Sequence, residues 1–182
     1  EKLSIAKILL RDVKVDRLEV ASARVSDGEK DAVGMICRYA EQLGRLDAVE
    51  VLGFVDNGIS IEWIKECGCK VINLLTKGSE NHCVHQLNKT LEEHIADIKR
   101  NIMLATEQGL GVNIYLEDWS NGMKDSPQYV YKMVEALRST GIRRFMLPDT
   151  LGVLTPDDTA FFFKDITGRF SELHFDFHAH ND

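Results

Sequence analysis

The sequence has no long hydrophobic run, no basic stripe, no glycine fingerprint and no cysteine framework, and each absence bears on function. No stretch approaches the ~20 apolar residues that a membrane-spanning helix needs. No charged leader with an apolar centre is visible at the start, so no secretory signal is expected. The net charge of -7 and the lack of a basic cluster argue against a nucleic-acid surface. They leave room for a small anionic substrate, which needs only a local positive site. Gly53 and Gly58 do not make a G-x-G-x-x-G turn, so a dinucleotide fold has no support. Cys37, Cys67, Cys69 and Cys83 follow no disulfide pattern, and reduced thiols of a cytoplasmic protein are the expectation. Cys67-Gly68-Cys69 is a weak metal clip, because it falls where a helix ends in glycine and a strand begins.

What is present is a globular composition. The 182 residues are 44% hydrophobic and 28% charged, enough for one domain with a sizeable core. Helix-like and strand-like segments alternate throughout. Leu3, Ala6, Leu9, Leu10 and Val13 keep helical spacing, and strands are predicted at 17–21, 48–54, 70–75, 112–117, 144–147 and from His174 onward. Helices are predicted near 31–43, around Trp63, after Thr90, after Ser126-Pro127 and after Thr155-Pro156. Thr90 and Glu93 form a capping box, and Pro127 suits a first helical position. Segments 76–89 and 118–125 read as polar loops, with His82 and His85 solvated in the first and Trp119 walling a cavity mouth from the second.

Such alternation implies right-handed βαβ units and a parallel sheet. Polar groups recur at the strand ends: Leu75-Thr76-Lys77, Leu116-Glu117-Asp118, Pro148-Asp149-Thr150 and His178-Ala179-His180. That distribution favours a (β/α)8 TIM barrel over an open sheet, because barrels collect functional side chains at strand C-termini. About six of eight strands are found, so the expected architecture is an incomplete α/β barrel: residues 1–182 as a partial catalytic domain, helix 1 to strand 7, with the first and last strands missing. The period of two puts His178 beside His180, where two imidazoles can share one divalent ion. It also puts Tyr115 and Glu117 on one face. Glu117 is either the partner of a basic side chain or a general base. Thr150 suits a turn, and Glu19 and Asn73 suit hydrogen bonding inside the barrel.

At this point the motifs resemble a known group. His178-Ala179-His180-Asn181-Asp182 is similar to an H-x-H-N-D signature, and Leu147-Pro148-Asp149-Thr150-Leu151-Gly152 to a P-D-T-x-G segment. Both belong to the metal-dependent Claisen-condensing barrels of the citramalate synthase and 2-isopropylmalate synthase family, which includes homocitrate synthase. Residues 73–79 and 112–122 look most like bacterial citramalate synthases. The resemblance implies an acyltransferase that condenses acetyl-CoA with pyruvate to give (R)-citramalate and CoA, in branched-chain amino-acid biosynthesis. It implies His178 and His180 as ligands of a divalent metal (zinc, manganese or magnesium). It implies Glu117 as the catalytic carboxylate, Thr150 on the keto-acid carboxylate, and Phe54 on the acetyl-CoA side. Leu52, Leu75 and Tyr115 would shape the pocket for the keto-acid side chain. A homodimer of the full-length protein is implied as well.

The family's first-strand R-D-G-E-Q segment, which supplies a metal carboxylate and an arginine, has no counterpart here. The isolated segment is therefore expected neither to hold metal well nor to turn over. Alternative readings are 2-isopropylmalate synthase, which takes 2-oxoisovalerate, a hydroxymethylglutaryl-CoA lyase type of enzyme, and a non-catalytic binding module.

Overall fold

The structure is a computed structural model, and it describes residues 1–180. Six strands form one sheet in the order β1-β2-β3-β4-β5-β6, with parallel pairing. They are β1 (Leu18–Ser22), β2 (Val49–Phe54), β3 (Val71–Lys77), β4 (Gly111–Glu117), β5 (Arg144–Asp149) and β6 (His174–Ala179). Helices intervene between successive strands, so each neighbour is reached by a crossover, and the result is the expected partial TIM barrel. Residues pack as two compact units, 1–74 with 101–112 and 75–100 with the described residues from 113 onward.

The first unit opens with α1 (Lys2–Lys7), which runs on as a π-helical turn over Ile8–Val13 and ends on Lys14 in the left-handed region. The apolar spacing read from Leu3 to Val13 is one helical path with a widened second half. The Arg45 guanidinium donates to the carbonyls of Leu10 and Val15, at 3.3 and 2.6 Å, and so ties the exit of this path down. In α2 (Asp27–Gln42) Ser26 caps the first turn, its Oγ accepting from Glu29 N at 3.2 Å. That cap places the helix start four residues ahead of the predicted Asp31. After α3 (Ile59–Glu66), Gly68 takes φ +80°, the turn a C-terminal glycine allows. Val33, Ile36 and Ala40 of α2 are buried, as are Val49 and Val51 of β2, Ile61 and Ile64 of α3, and Ile72 of β3. Gly53 belongs to this packing: a Cβ there would lie 2.6 Å from Ile72 Cδ1.

The second unit corrects two expectations. Residues 76–89 are not a solvated loop. Lys77 extends β3, and α4 (Glu80–Leu87) follows, capped by Ser79 Oγ, which accepts from His82 N at 3.2 Å. Residues 118–125 hold α6 (Trp119–Asp125) instead of a loop. Trp119 does not wall a mouth. It is fully buried, with its ring edge-on to Phe162 and Phe163 at 6.2 and 5.5 Å. Three further helices are where they were predicted: α5 (Leu91–Glu107), α7 (Pro127–Arg138) and α8 (Pro156–Arg169). The Thr90–Glu93 box is formed, with Glu93 N donating to Thr90 Oγ1 at 3.2 Å and Thr90 N to Glu93 Oε2 at 2.8 Å. Val130, Met133, Val134 and Leu137 bury one face of α7, and Phe145 and Leu147 bury one face of β5.

Candidate active site at the strand C-termini

Strand alternation sorts the side chains of the second unit. Phe175 packs on Phe145 at 5.9 Å, and Phe177 on Phe163 of α8 at 5.3 Å, so odd positions of β6 face the helices. His174, Asp176 and His178 therefore face the opposite side, where Asp176 pairs with Arg144 and with His174 at 2.9 Å. The register aligns Tyr115 with Met146, Met146 with Asp176 and Pro148 with His178. Tyr115, itself 8% exposed, consequently meets His178, ring edge to face, with centroids 5.6 Å apart. The His178 and His180 rings stack at 4.8 Å with 8° between their planes. Tyr115, His178 and His180 thus form one row of rings at this corner.

Imidazole is a donor type that divalent cations take. His178 titrates below the usual imidazole range, because desolvation and the neighbouring His180 both disfavour its charged form. A neutral imidazole is the form that binds metal. Among the described residues no third His, Cys, Asp or Glu joins the pair. Asn181 and Asp182, the rest of the H-x-H-N-D signature, lie outside the described residues.

Glu117 ends β4 half-buried, and its Oε2 is ion-paired with Lys77 Nζ. The basic partner weighed for this carboxylate is therefore Lys77, which sits at the end of β3. Lys77 Nζ also donates to Gln86 Oε1 at 2.8 Å. The backbone reinforces the link, since Gly78 N donates to Glu117 O at 2.6 Å. A Cβ on Gly78 would fall 2.5 Å from the Leu116 carbonyl oxygen, so only glycine lets the two strand ends approach this closely.

Thr150 follows β5 in a turn, and its Oγ1 accepts from Asp118 N at 2.9 Å. One oxygen lone pair is thereby used, and the hydroxyl proton is left to donate elsewhere. Asp118 is 1% exposed and holds φ +65°, a conformation Asp tolerates when its side chain is held locally. Here Ser79 Oγ donates to Asp118 Oδ2 at 2.6 Å and Asn121 Nδ2 to Asp118 Oδ1 at 2.8 Å, while His82 Nε2 stands 3.4 Å from Oδ2. Asp149 caps the turn after β5, accepting from Val153 N and Leu154 N at 3.0 and 2.9 Å.

Leu75 is half-buried on β3, on the same face as Lys77. Leu52 and Phe54 belong to the first unit, where both are half-buried at the end of β2. In that unit Asn73 Nδ2 donates to Glu19 Oε2 and Glu50 Oε2, at 2.6 and 3.0 Å, which gives Glu19 and Asn73 the hydrogen-bonding role anticipated for them. Lys77 and Asp118 were not singled out from sequence. The period of two that pairs Tyr115 with Glu117 equally pairs Leu75 with Lys77, so Lys77 could have been found. Nothing in the sequence signals the left-handed turn at Asp118. A surface cleft of about 840 Å³, lined by Val84, Thr90 and Tyr129 among others, includes none of the site residues.

The family model described as HMGL-like matches residues 1–182. The chain is 31% identical over 183 residues to the (R)-citramalate synthase CimA of Methanocaldococcus jannaschii, covering all of this chain and 35% of that protein. It is 27% identical over 186 residues to the homocitrate synthase of Sulfolobus acidocaldarius, covering all of this chain and 38% of that one. The chain thus spans little more than a third of the length of these two relatives. The HMG-CoA lyase structure from Bacillus subtilis superposes with a TM-score of 0.73 at 24% identity, over 99% of this chain and 61% of that one.

Proposed function

From the premise that this chain belongs to the HMGL-like family of acyl-CoA condensing and cleaving enzymes, we propose that its parent protein joins acetyl-CoA to pyruvate. Acetyl-CoA, pyruvate and water give (R)-citramalate, free CoA and a proton. The observation that carries the reading is the Tyr115 ring packed edge-on against His178, with Leu75 on the neighbouring strand. Bulky side chains beside the metal-type histidines leave space for the methyl of pyruvate and crowd the branched chain of 2-oxoisovalerate.

His178 and His180 would hold the divalent cation, completed by a carboxylate from elsewhere in the parent protein. When bound, the cation supplies Lewis-acid polarisation of the keto carbonyl. The protein groups do the rest. The Thr150 hydroxyl, oriented by Asp118 N, donates to the keto-acid carboxylate. Glu117 takes a proton from the thioester methyl, or orients the group that does.

Substrate choice tests this reading. CoA release by the full-length protein is expected to be at least about tenfold faster, as kcat/KM, with pyruvate than with 2-oxoisovalerate. Preference for the branched acid would overturn the pocket assignment and favour the 2-isopropylmalate reaction.

A further inference from the structure

We infer that Lys77 is a positioning residue that acts through Glu117. The inference rests on the proposed role of Glu117 and goes beyond it by stating which carboxylate oxygen reacts. Lys77 Nζ engages Oε2 of Glu117 while its own place is fixed from three sides. Gln86 Oε1 accepts from the same ammonium at 2.8 Å. The Lys77 amide donates to His94 Nε2 at 3.1 Å, and the Lys77 carbonyl accepts from the Tyr129 hydroxyl at 3.1 Å. The adjoining Gly78 amide holds the Glu117 carbonyl at 2.6 Å. Main chain and carboxylate of Glu117 are thus both clamped by one two-residue corner at the end of β3.

The consequence is an asymmetric carboxylate. Oε2 is committed to the ammonium, so Oε1 is the oxygen that meets the substrate. A carboxylate free to rotate would present either oxygen in many orientations, and orientation is a large share of proton-transfer efficiency. The Lys77 side chain is 15% exposed and that of Glu117 27%, so the pair is shielded enough for its geometry to persist, unlike a surface ion pair.

The test is a double-mutant cycle in the full-length protein, using Lys77→Met, Glu117→Gln and both together, with pyruvate and acetyl-CoA. Lys77→Met is expected to lower kcat about tenfold or more and to leave the KM for pyruvate within about twofold. Lys77→Arg restores part of the loss, and Gln86→Leu reproduces a smaller share of it with a fold that does not depend on the ion pair. In the Glu117→Gln background, Lys77→Met has no further effect, because its action passes through the carboxylate. Full additivity of the two losses, or a Lys77→Met effect confined to KM, would overturn the positioning role. An unimpaired Glu117→Gln enzyme would instead overturn the underlying reading of Glu117, whatever Lys77 does.

Discussion

His94 offers a quantitative test of how the candidate site is held together. Its imidazole is 2% exposed, and Nε2 accepts the amide of Lys77 at 3.1 Å. Burial, helped by the nearby Lys89 and Lys77 ammonium groups and opposed by Asp97, pulls its pKa from 6.5 down to about 4. Protonation would remove the acceptor and place a charge in the interior. Between about 4 and 6.5 the unfolded chain binds this proton and the folded one does not, so stability rises with pH across that window. At about 1.4 kcal/mol per pH unit, the depression makes roughly 3 kcal/mol present above pH 6.5 and lost progressively toward pH 4. The perturbation is His94→Gln, whose amide oxygen accepts at a similar reach and does not titrate. The assays are NMR titration of the His94 ring and urea midpoints of both proteins from pH 4 to 7. Wild type is expected to lose about 3 kcal/mol more than His94→Gln over that range. A His94 ring that titrates near 6.5, or two proteins whose stabilities fall in parallel, would refute the reasoning.

Other consequences are testable in the same protein. Gly122→Ala directs a methyl into the Gly78 carbonyl and toward Val130, and overpacking of this kind should lower stability by about 1–3 kcal/mol in thermal unfolding. Trp119→Ala empties a fully buried site between α6 and α8, and a loss of about 3–5 kcal/mol is expected from chemical denaturation. Thr150→Val keeps the shape and leaves the Asp118 amide without its acceptor, so the KM for pyruvate should rise about tenfold or more, whereas Thr150→Ser should retain most affinity. Tyr115→Ala removes the ring beside His178, and the pyruvate preference over 2-oxoisovalerate in CoA release should shrink about tenfold.

The elements that were read correctly share a physical property: their signals are local. Thr90 and Glu93 cap α5 through bonds between residues three apart, and Pro127 starts α7 because its missing N–H is not needed there. The helix α4 was missed because its eight residues carry one buried side chain, Cys83, and so no apolar stripe. The helix α6 was missed because Asn121 and Gly122 look like turn residues. Gly122 is in fact there so that α6 can lie against the Gly78 carbonyl. That reason belongs to tertiary packing, and no local pattern could reveal it.

By itself the sequence determined the alternation of strands and helices, and hence the parallel sheet. Through the period of two it also determined that His178 stands beside His180 and Tyr115 beside Glu117. Those facts follow from backbone geometry acting over a few residues. Only the tertiary structure decided which groups meet across strands: Tyr115 with His178, Lys77 with Glu117, and the Asp118 amide with Thr150. Interstrand register and a close approach at Gly78 set those meetings. Both depend on how residues far apart in the chain pack, which periodicity along a single strand does not encode.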